Sequence, residues 1–215
     1  MYVLLLAPAW DENPTDGSRP VPELAAALRR AGHTVGAIAL APGGLLERRA
    51  PLEMRVVDGI TLVEEGGAGS ASPRGGRGSG LLLRRRTRQA LEAYVAQAGS
   101  PDVVHGLGVV PAVHMTALAG AVLGCGVVLS THGGSSADEP GPGAGRVRAD
   151  LQRVAIRAAD TEELRERLTR AWHVGAWRVL PTVDDAAFAQ GASSLYAQAV
   201  GAVELERVRT DNVDC

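Results

Sequence analysis

Tyr2-Val-Leu-Leu-Leu-Ala7, a proline-bearing loop from Pro8 to Pro20, Val21-Pro-Glu-Leu-Ala-Ala-Ala-Leu-Arg-Arg-Ala31, and then Thr34 to Leu40 together decide the fold. The first run is apolar without a break, the form of a strand buried on both faces of a parallel sheet. In the next segment Leu24, Ala27, Leu28 and Ala31 recur at i, i+3, i+4 and i+7, the stripe of a helix with one buried face. Gly32 stands where a helix commonly ends, and Thr34 to Leu40 is apolar again. Strand, loop, helix, strand is a βαβ unit, whose crossover is right-handed.

The pattern continues outward. Arg55 to Val63 holds two short apolar runs around Asp58-Gly59, the signature of a type I′ hairpin. Gly66 to Gly80, rich in Gly, Ser and Arg, reads as a mobile loop. A helix is predicted over Leu81–Ala98, with Arg84-Arg-Arg86 at its start as a solvated face. Asp102 to His105 reads as a short strand, Val110–Leu123 as a helix of small residues, and Gly126–Thr131 as another buried strand. His132 to Gly145 is a Gly- and Pro-rich loop. Helices are predicted over Arg146–Ala159 and Thr161–Trp172, a last short strand over Arg178–Leu180, and a helix-prone tail to about Arg207. Alternation of this kind specifies an α/β fold: a Rossmann-like, mostly parallel sheet with helices on both faces and the first strand central. Residues 1–180 form that domain, and residues 181–215 are a linker-like segment and helical tail. The tail's Leu195, Tyr196, Val200, Val203 and Leu205 require cover, from this domain or from a second copy.

Composition narrows the function. The 215 residues include 46% hydrophobic side chains but only 3% aromatic ones, so the core is built from Ala, Val and Leu. Every basic residue is Arg. A net charge of -2 argues against a general nucleic-acid-binding surface. Cys125 and Cys215 supply neither a metal site nor a disulfide framework, and Cys125 reads as a buried thiol. No segment reads as a signal peptide or reaches the roughly 18–20 apolar residues of a membrane span, so a cytoplasmic protein is expected.

In open α/β sheets ligands bind beyond the carboxyl ends of strands. Three segments lie there: Pro8–Arg19, His105-Gly106 and His132–Asp138. His132 is the foremost candidate, because it ends a strand and Gly133-Gly134 permit close approach of backbone and ligand. An imidazole there can donate to a sugar hydroxyl or phosphate oxygen; the structural alternative is a histidine capping the strand end. His105 ends its strand also, as a ligand contact or as a half-buried structural residue. His33, His114 and His173 read as structural. Asp16-Gly17-Ser18, ahead of the first helix, could cradle an anion at its amino terminus. The segment is neither G-x-G-x-x-G nor a P-loop, which disfavours nicotinamide dinucleotides and direct ATP hydrolysis. No metal site and no cofactor are expected.

The order of these segments resembles the N-terminal, acceptor-side domain of the family 4 retaining glycosyltransferases of the GT-B fold. Glu23-Leu-Ala-Ala-Ala-Leu-Arg-Arg-Ala-Gly-His-Thr-Val35 is close to the family's "ELA-x-AL-x-x-x-GHxV". The Asp58-Gly59 hairpin, Pro101-Asp-Val-Val-His105 and Val128-Leu-Ser-Thr-His-Gly133 follow in order. Arg178-Val-Leu-Pro-Thr-Val-Asp-Asp-Ala-Ala-Phe188 is similar to the family's "VIPNGVDxxxF" linker. The resemblance spans roughly residues 1 to 190.

It implies that Gly17 lets a nucleotide-sugar diphosphate approach the first helix and that His132 sits near the transferred sugar. Acceptor contacts would come from Asp16, Gly17, Ser18 and Arg19 on one side, and from Gly133, Gly134 and Asp138 on the other. The chain departs from the family in three respects. The donor-binding second domain with its acidic motif is not present after the linker, the paired loop glycines are reduced to Asp16-Gly17, and a short strand looks excised between Asp160 and Thr161. The resemblance therefore implies half of a nucleotide-sugar transferase, completed by a partner subunit carrying the donor domain or acting as a homodimer. The alternative is a non-catalytic accessory protein derived from such a domain.

Overall fold

A computed structural model describes residues 1–10, 19–40, 51–65, 79–132, 140–141, 143–182 and 184–211. Most of the loops expected over Gly66–Gly80 and His132–Gly145 lie outside the described residues, and Ser79-Gly80 already belong to a helix. Strand β1 (Tyr2–Ala7) shows why an unbroken apolar run was needed. Val3, Leu5 and Ala7 point into one core cluster, while Leu4 and Leu6 point into a second on the other face.

The remaining elements, in chain order, are α1 (Val21–Arg30), β2 (Thr34–Ala39), β3 (Leu52–Val57), β4 (Ile60–Glu65), α2 (Ser79–Ala98), β5 (Val103–Leu107) and α3 (Ala112–Leu123). They are followed by β6 (Gly126–Thr131), α4 (Ala144–Arg153), β7 (Ile156–Ala159), α5 (Glu162–Trp172), β8 (Trp177–Val179) and α6 (Asp185–Asp211). The strands form one sheet in the order β3-β4-β2-β1-β5-β6-β7-β8, so β1 is central. All neighbours are parallel except β3 and β4. Those two make the hairpin read from Asp58-Gly59, whose positive φ values of 49° and 74° are those of a type I′ turn. Sheet order reverses between β1 and β5, and the crevice at that switch point opens at the carboxyl ends of the strands.

Helices cover both faces. Leu24 and Leu28 of α1 and Phe188, Ala192, Leu195, Tyr196 and Ala199 of α6 share one core cluster with β1, β2, β5 and β6. On the other face α2 and α3 meet the first half of the sheet, and α3, α4 and α5 the second. The tail thus finds its cover on its own sheet, and only its far part is bare, with Leu205 at 65% exposure. The fit is close, since a Cβ on Gly126 of β6 would meet the Ala199 backbone of α6 at 3.0 Å.

Two expectations are corrected. Arg146–Ala159 is not one helix: α4 ends at Arg153, Val154 is extended (φ -79°, ψ 119°), and Ile156–Ala159 is strand β7. Helix propensity loses to tertiary context here, because Ala158 and Ala159 are fully buried between helices and pair with Ser130 and Thr131 of β6. Arg157 secures the break, donating from Nη1 to the carbonyls of Leu151 and Val154 at 2.7 and 2.8 Å. The strand that looked excised before Thr161 is therefore present as β7, and Thr161 itself caps α5 through its hydroxyl. The second correction is β5, which runs from Val103 to Leu107, so His105 lies mid-strand and not at its end. Cys125, read as buried, is half-buried.

Candidate site at the carboxyl end of the sheet

Strand alternation builds the site. Val128 of β6 faces the cluster under α6, and a period of two puts Ser130 and His132 on that side as well. On β5, His105 shares the α6 face with Val103 and Leu107. Its ring is edge-on to that of Tyr196, with centroids 5.5 Å apart.

These side chains join into one line. Tyr196 Oη lies 2.7 Å from His105 Nδ1, His105 Nε2 lies 2.7 Å from Ser130 Oγ, and Ser130 Oγ lies 2.8 Å from His132 Nε2. His105 and Ser130 have no exposure at all. His132 is the outer end, 9% exposed, resting edge-on against Phe188 with centroids 6.3 Å apart. Its Nδ1 is buried and has no hydrogen-bond partner among the described residues. A buried polar atom without a partner is uncommon and calls for a reason.

Both imidazoles are neutral at pH 7. Burial pushes His105 down to about 3, with the neighbouring His132 adding to the effect. His132 is pushed down to about 4, again chiefly by burial; Asp160 acts upward on it and Arg19 downward. A neutral ring offers one N–H and one lone pair, so this site presents directional hydrogen bonding and not fixed positive charge.

Asp160 follows β7 directly, its amide donating to the Thr131 carbonyl at 3.2 Å. Arg19 lies just ahead of α1, with a side chain only 17% exposed. Its guanidinium pairs with the Asp185 carboxylate and donates to the Thr182 carbonyl at 3.0 Å, and Nε is 3.3 Å from Glu23. Arg19, the cation that acts on His132 among the described residues, thereby clasps the start of α6 to the start of α1.

Of the residues singled out from sequence, the structure brings together His132, His105 and Arg19. Asp16, Gly17, Ser18, Gly133, Gly134 and Asp138 lie outside the described residues. Helix α1, which the first three precede, has Pro20 at its N-cap and no side-chain cap. Ser130, Asp160, Phe188 and Tyr196 escaped the sequence reading. Ser130 was legible, standing two residues before His132 on a strand. Tyr196 was not, because nothing local says which strand its helix crosses. Among the described residues no group of three or more His, Cys, Asp or Glu is placed to hold a metal, and no described helix is long and apolar enough to cross a membrane.

The family model described as Glycosyltransferase Family 4 matches residues 18–183, which takes in α1, strands β2 to β8 and His132. The chain belongs to that family. No curated protein matches it. Among solved structures, it is similar to the catalytic domain of starch synthase IV from Arabidopsis thaliana bound to ADP and acarbose, at 17% identity and a TM-score of 0.40. That match covers 61% of this chain and 34% of the other, so the chain spans about a third of that structure. Within this glycosyltransferase family domain, the Rossmann-like sheet read from sequence and the structural site share one edge.

Proposed function

We propose that this domain supplies the acceptor side of a nucleotide-sugar glycosyltransferase, with His132 facing the sugar that is transferred. One observation carries the reading: an otherwise buried imidazole keeps Nδ1 without a partner among the described residues at the carboxyl end of the sheet, where α/β folds bind ligands. Sugar transfer develops negative charge on the departing diphosphate, and stabilising that charge needs preorganised donors in a site closed to water. His132 provides a directed contact. Arg19, the cation that acts on His132, is already held by Asp185 and Thr182, so among the described residues the site has little free positive charge to offer a diphosphate. A donor-binding unit, contributed by a partner subunit or a second copy of the chain, completes the centre and supplies most contacts to the nucleotide.

The test is calorimetric titration with a panel of nucleotide-sugars, run on the chain alone and after co-expression with candidate partner subunits, followed by an assay of transfer. The reading expects weak binding alone and transfer only with the partner. Efficient turnover by the chain alone would overturn the need for a second unit. Absence of binding under both conditions would leave a family domain reused as an accessory protein.

A further inference from the structure

The chain of buried hydrogen bonds behind His132 has a direction, and the direction determines what His132 can do. We propose that Tyr196, His105 and Ser130 form a relay that fixes His132 as its Nδ1–H tautomer, so that the site offers its ligand an N–H donor and not a basic lone pair. The ligand contact is then an acceptor oxygen. This rests on His132 being the residue that meets the ligand.

The argument is a count of donors. A neutral histidine has one N–H, and each hydroxyl has one O–H. Tyr196 Oη and Ser130 Oγ have no other partners among the described residues. If Tyr196 donates to His105 Nδ1, then His105 Nε2–H donates to Ser130 Oγ. Ser130 in turn donates to His132 Nε2, and the His132 proton resides on Nδ1. Every buried O–H and N–H along the line is used except the outermost, the His132 Nδ1–H, which has no partner among the described residues and is left for a ligand oxygen. In the reverse direction His132 Nε2–H donates to Ser130, Ser130 to His105 Nε2, and His105 Nδ1–H to Tyr196. The Tyr196 O–H is then stranded in a fully buried position, which costs on the order of 1–3 kcal/mol. If both histidines donate to Ser130, the serine O–H is stranded instead. Only the first arrangement strands no hydroxyl.

Tyr196, His105 and Ser130 are positioning residues, acting on the ligand only through His132. His132 contributes orientation and a hydrogen bond, and it abstracts no proton.

Long-range nitrogen–proton NMR of the whole chain, with histidine labelled on the ring nitrogens, reads the tautomers directly at neutral pH. The expected result is a single Nδ1–H form for His132 and a single Nε2–H form for His105. An Nε2–H form for His132 overturns the proposal and leaves the transferase reading standing; conversely, failure of every nucleotide-sugar to bind leaves the tautomers as they are. In Tyr196→Phe the stranded hydroxyl is gone, so the two directions become comparable and a second set of His132 signals should appear. Unchanged His132 signals in this variant, with the fold intact by circular dichroism, overturn the relay. Titration with inorganic diphosphate and, separately, with glucose identifies the acceptor oxygen. Movement of the His132 Nδ1–H signal with diphosphate assigns a phosphate oxygen, and movement with glucose a hydroxyl. No response to either overturns the donor role.

Discussion

Tyr196 on the C-terminal helix and His105 in the middle of strand β5 share a 2.7 Å hydrogen bond between Oη and Nδ1, 91 positions apart in sequence. The bond ties α6 to the sheet beneath the site. Phe188, whose ring meets that of His132 edge-on, is carried on the same helix. Stability and site geometry therefore depend on one another, and both depend on how α6 is seated.

The first consequence is a dependence of stability on pH. His105 and His132 are held at about 3 and about 4, whereas in the unfolded chain each titrates near 6.5. Below about pH 6.5 the unfolded chain takes up protons that the native state refuses, so stability is complete above that pH and falls as pH drops toward 4. Each proton contributes a slope of about 1.4 kcal/mol per pH unit. Urea unfolding at a series of pH values should show the steep fall in this window, and His132→Gln should remove about one proton from the slope. A curve flat between pH 6.5 and 4.5 would show that these rings are not held neutral by burial.

A second prediction concerns Phe188, fully buried and packed against His132. Phe188→Ala should cost about 3–5 kcal/mol, a melting shift of roughly 6–20 °C for a chain of this size. Burial is the chief cause of the depressed His132 value, so the milder Phe188→Leu, which admits water at the ring edge, should move His132 upward toward 6.5. An NMR titration of the imidazole checks this directly. A His132 value that stays put would assign the depression to something other than the wall that Phe188 provides.

The third prediction addresses the seat of α6. A side chain at Gly126 meets the Ala199 backbone, which cannot step aside as a flexible side chain would. Gly126→Val should therefore cost about 1–3 kcal/mol or more through overpacking. It should also disturb the Tyr196–His105 bond, lowering the hydrogen-exchange protection of α6 relative to α1. Uniform loss of protection throughout the chain would mean that the helix and sheet respond as one unit.

How much of this was legible follows from what local sequence encodes. The βαβ start, the Asp58-Gly59 hairpin and the strand before His132 are read from apolar periodicity and turn chemistry, which act over a few residues. Strand β7 was misread because Ile156-Arg-Ala-Ala159 is as good a helix continuation as a strand. Pairing with β6 and burial of both alanines decide it, and these are long-range facts. His105 was placed at a strand end because the segment after it is short and gives no local sign of how far the strand runs. Gly106 instead continues β5 where α3 packs so closely that a Cβ would overlap Thr116. In the site, Ser130-x-His132 could be read from strand period alone, whereas Tyr196, Phe188 and Asp160 reach it only through the crossing of α6 and the pairing of β7 beside β6.

The last prediction concerns ligand affinity and what His132 adds to it. The described site has one neighbouring cation, Arg19, and its guanidinium is engaged by Asp185, Thr182 and Glu23. A nucleotide-sugar meeting this domain without the donor-binding unit gains chiefly directed hydrogen bonds, each contributing about 0.5–1.5 kcal/mol net, or up to about 3 where a charged phosphate oxygen accepts. Affinity should then be of millimolar order, near 4 kcal/mol, with only a small further loss in His132→Ala. With the second unit in place the same N–H would act on a developing charge in a site closed to water. There His132→Ala should lower the rate of transfer by ~10²-fold or more, as for loss of one well-placed donor, while leaving the substrate KM nearly unchanged. Arg19→Gln should behave otherwise, loosening the clasp between α1 and α6 and so lowering stability along with any activity. Steady-state kinetics and thermal melts on the two variants separate these roles. A wild-type rate for His132→Ala in the completed enzyme would remove His132 from the reacting centre and leave the fold and family assignment intact.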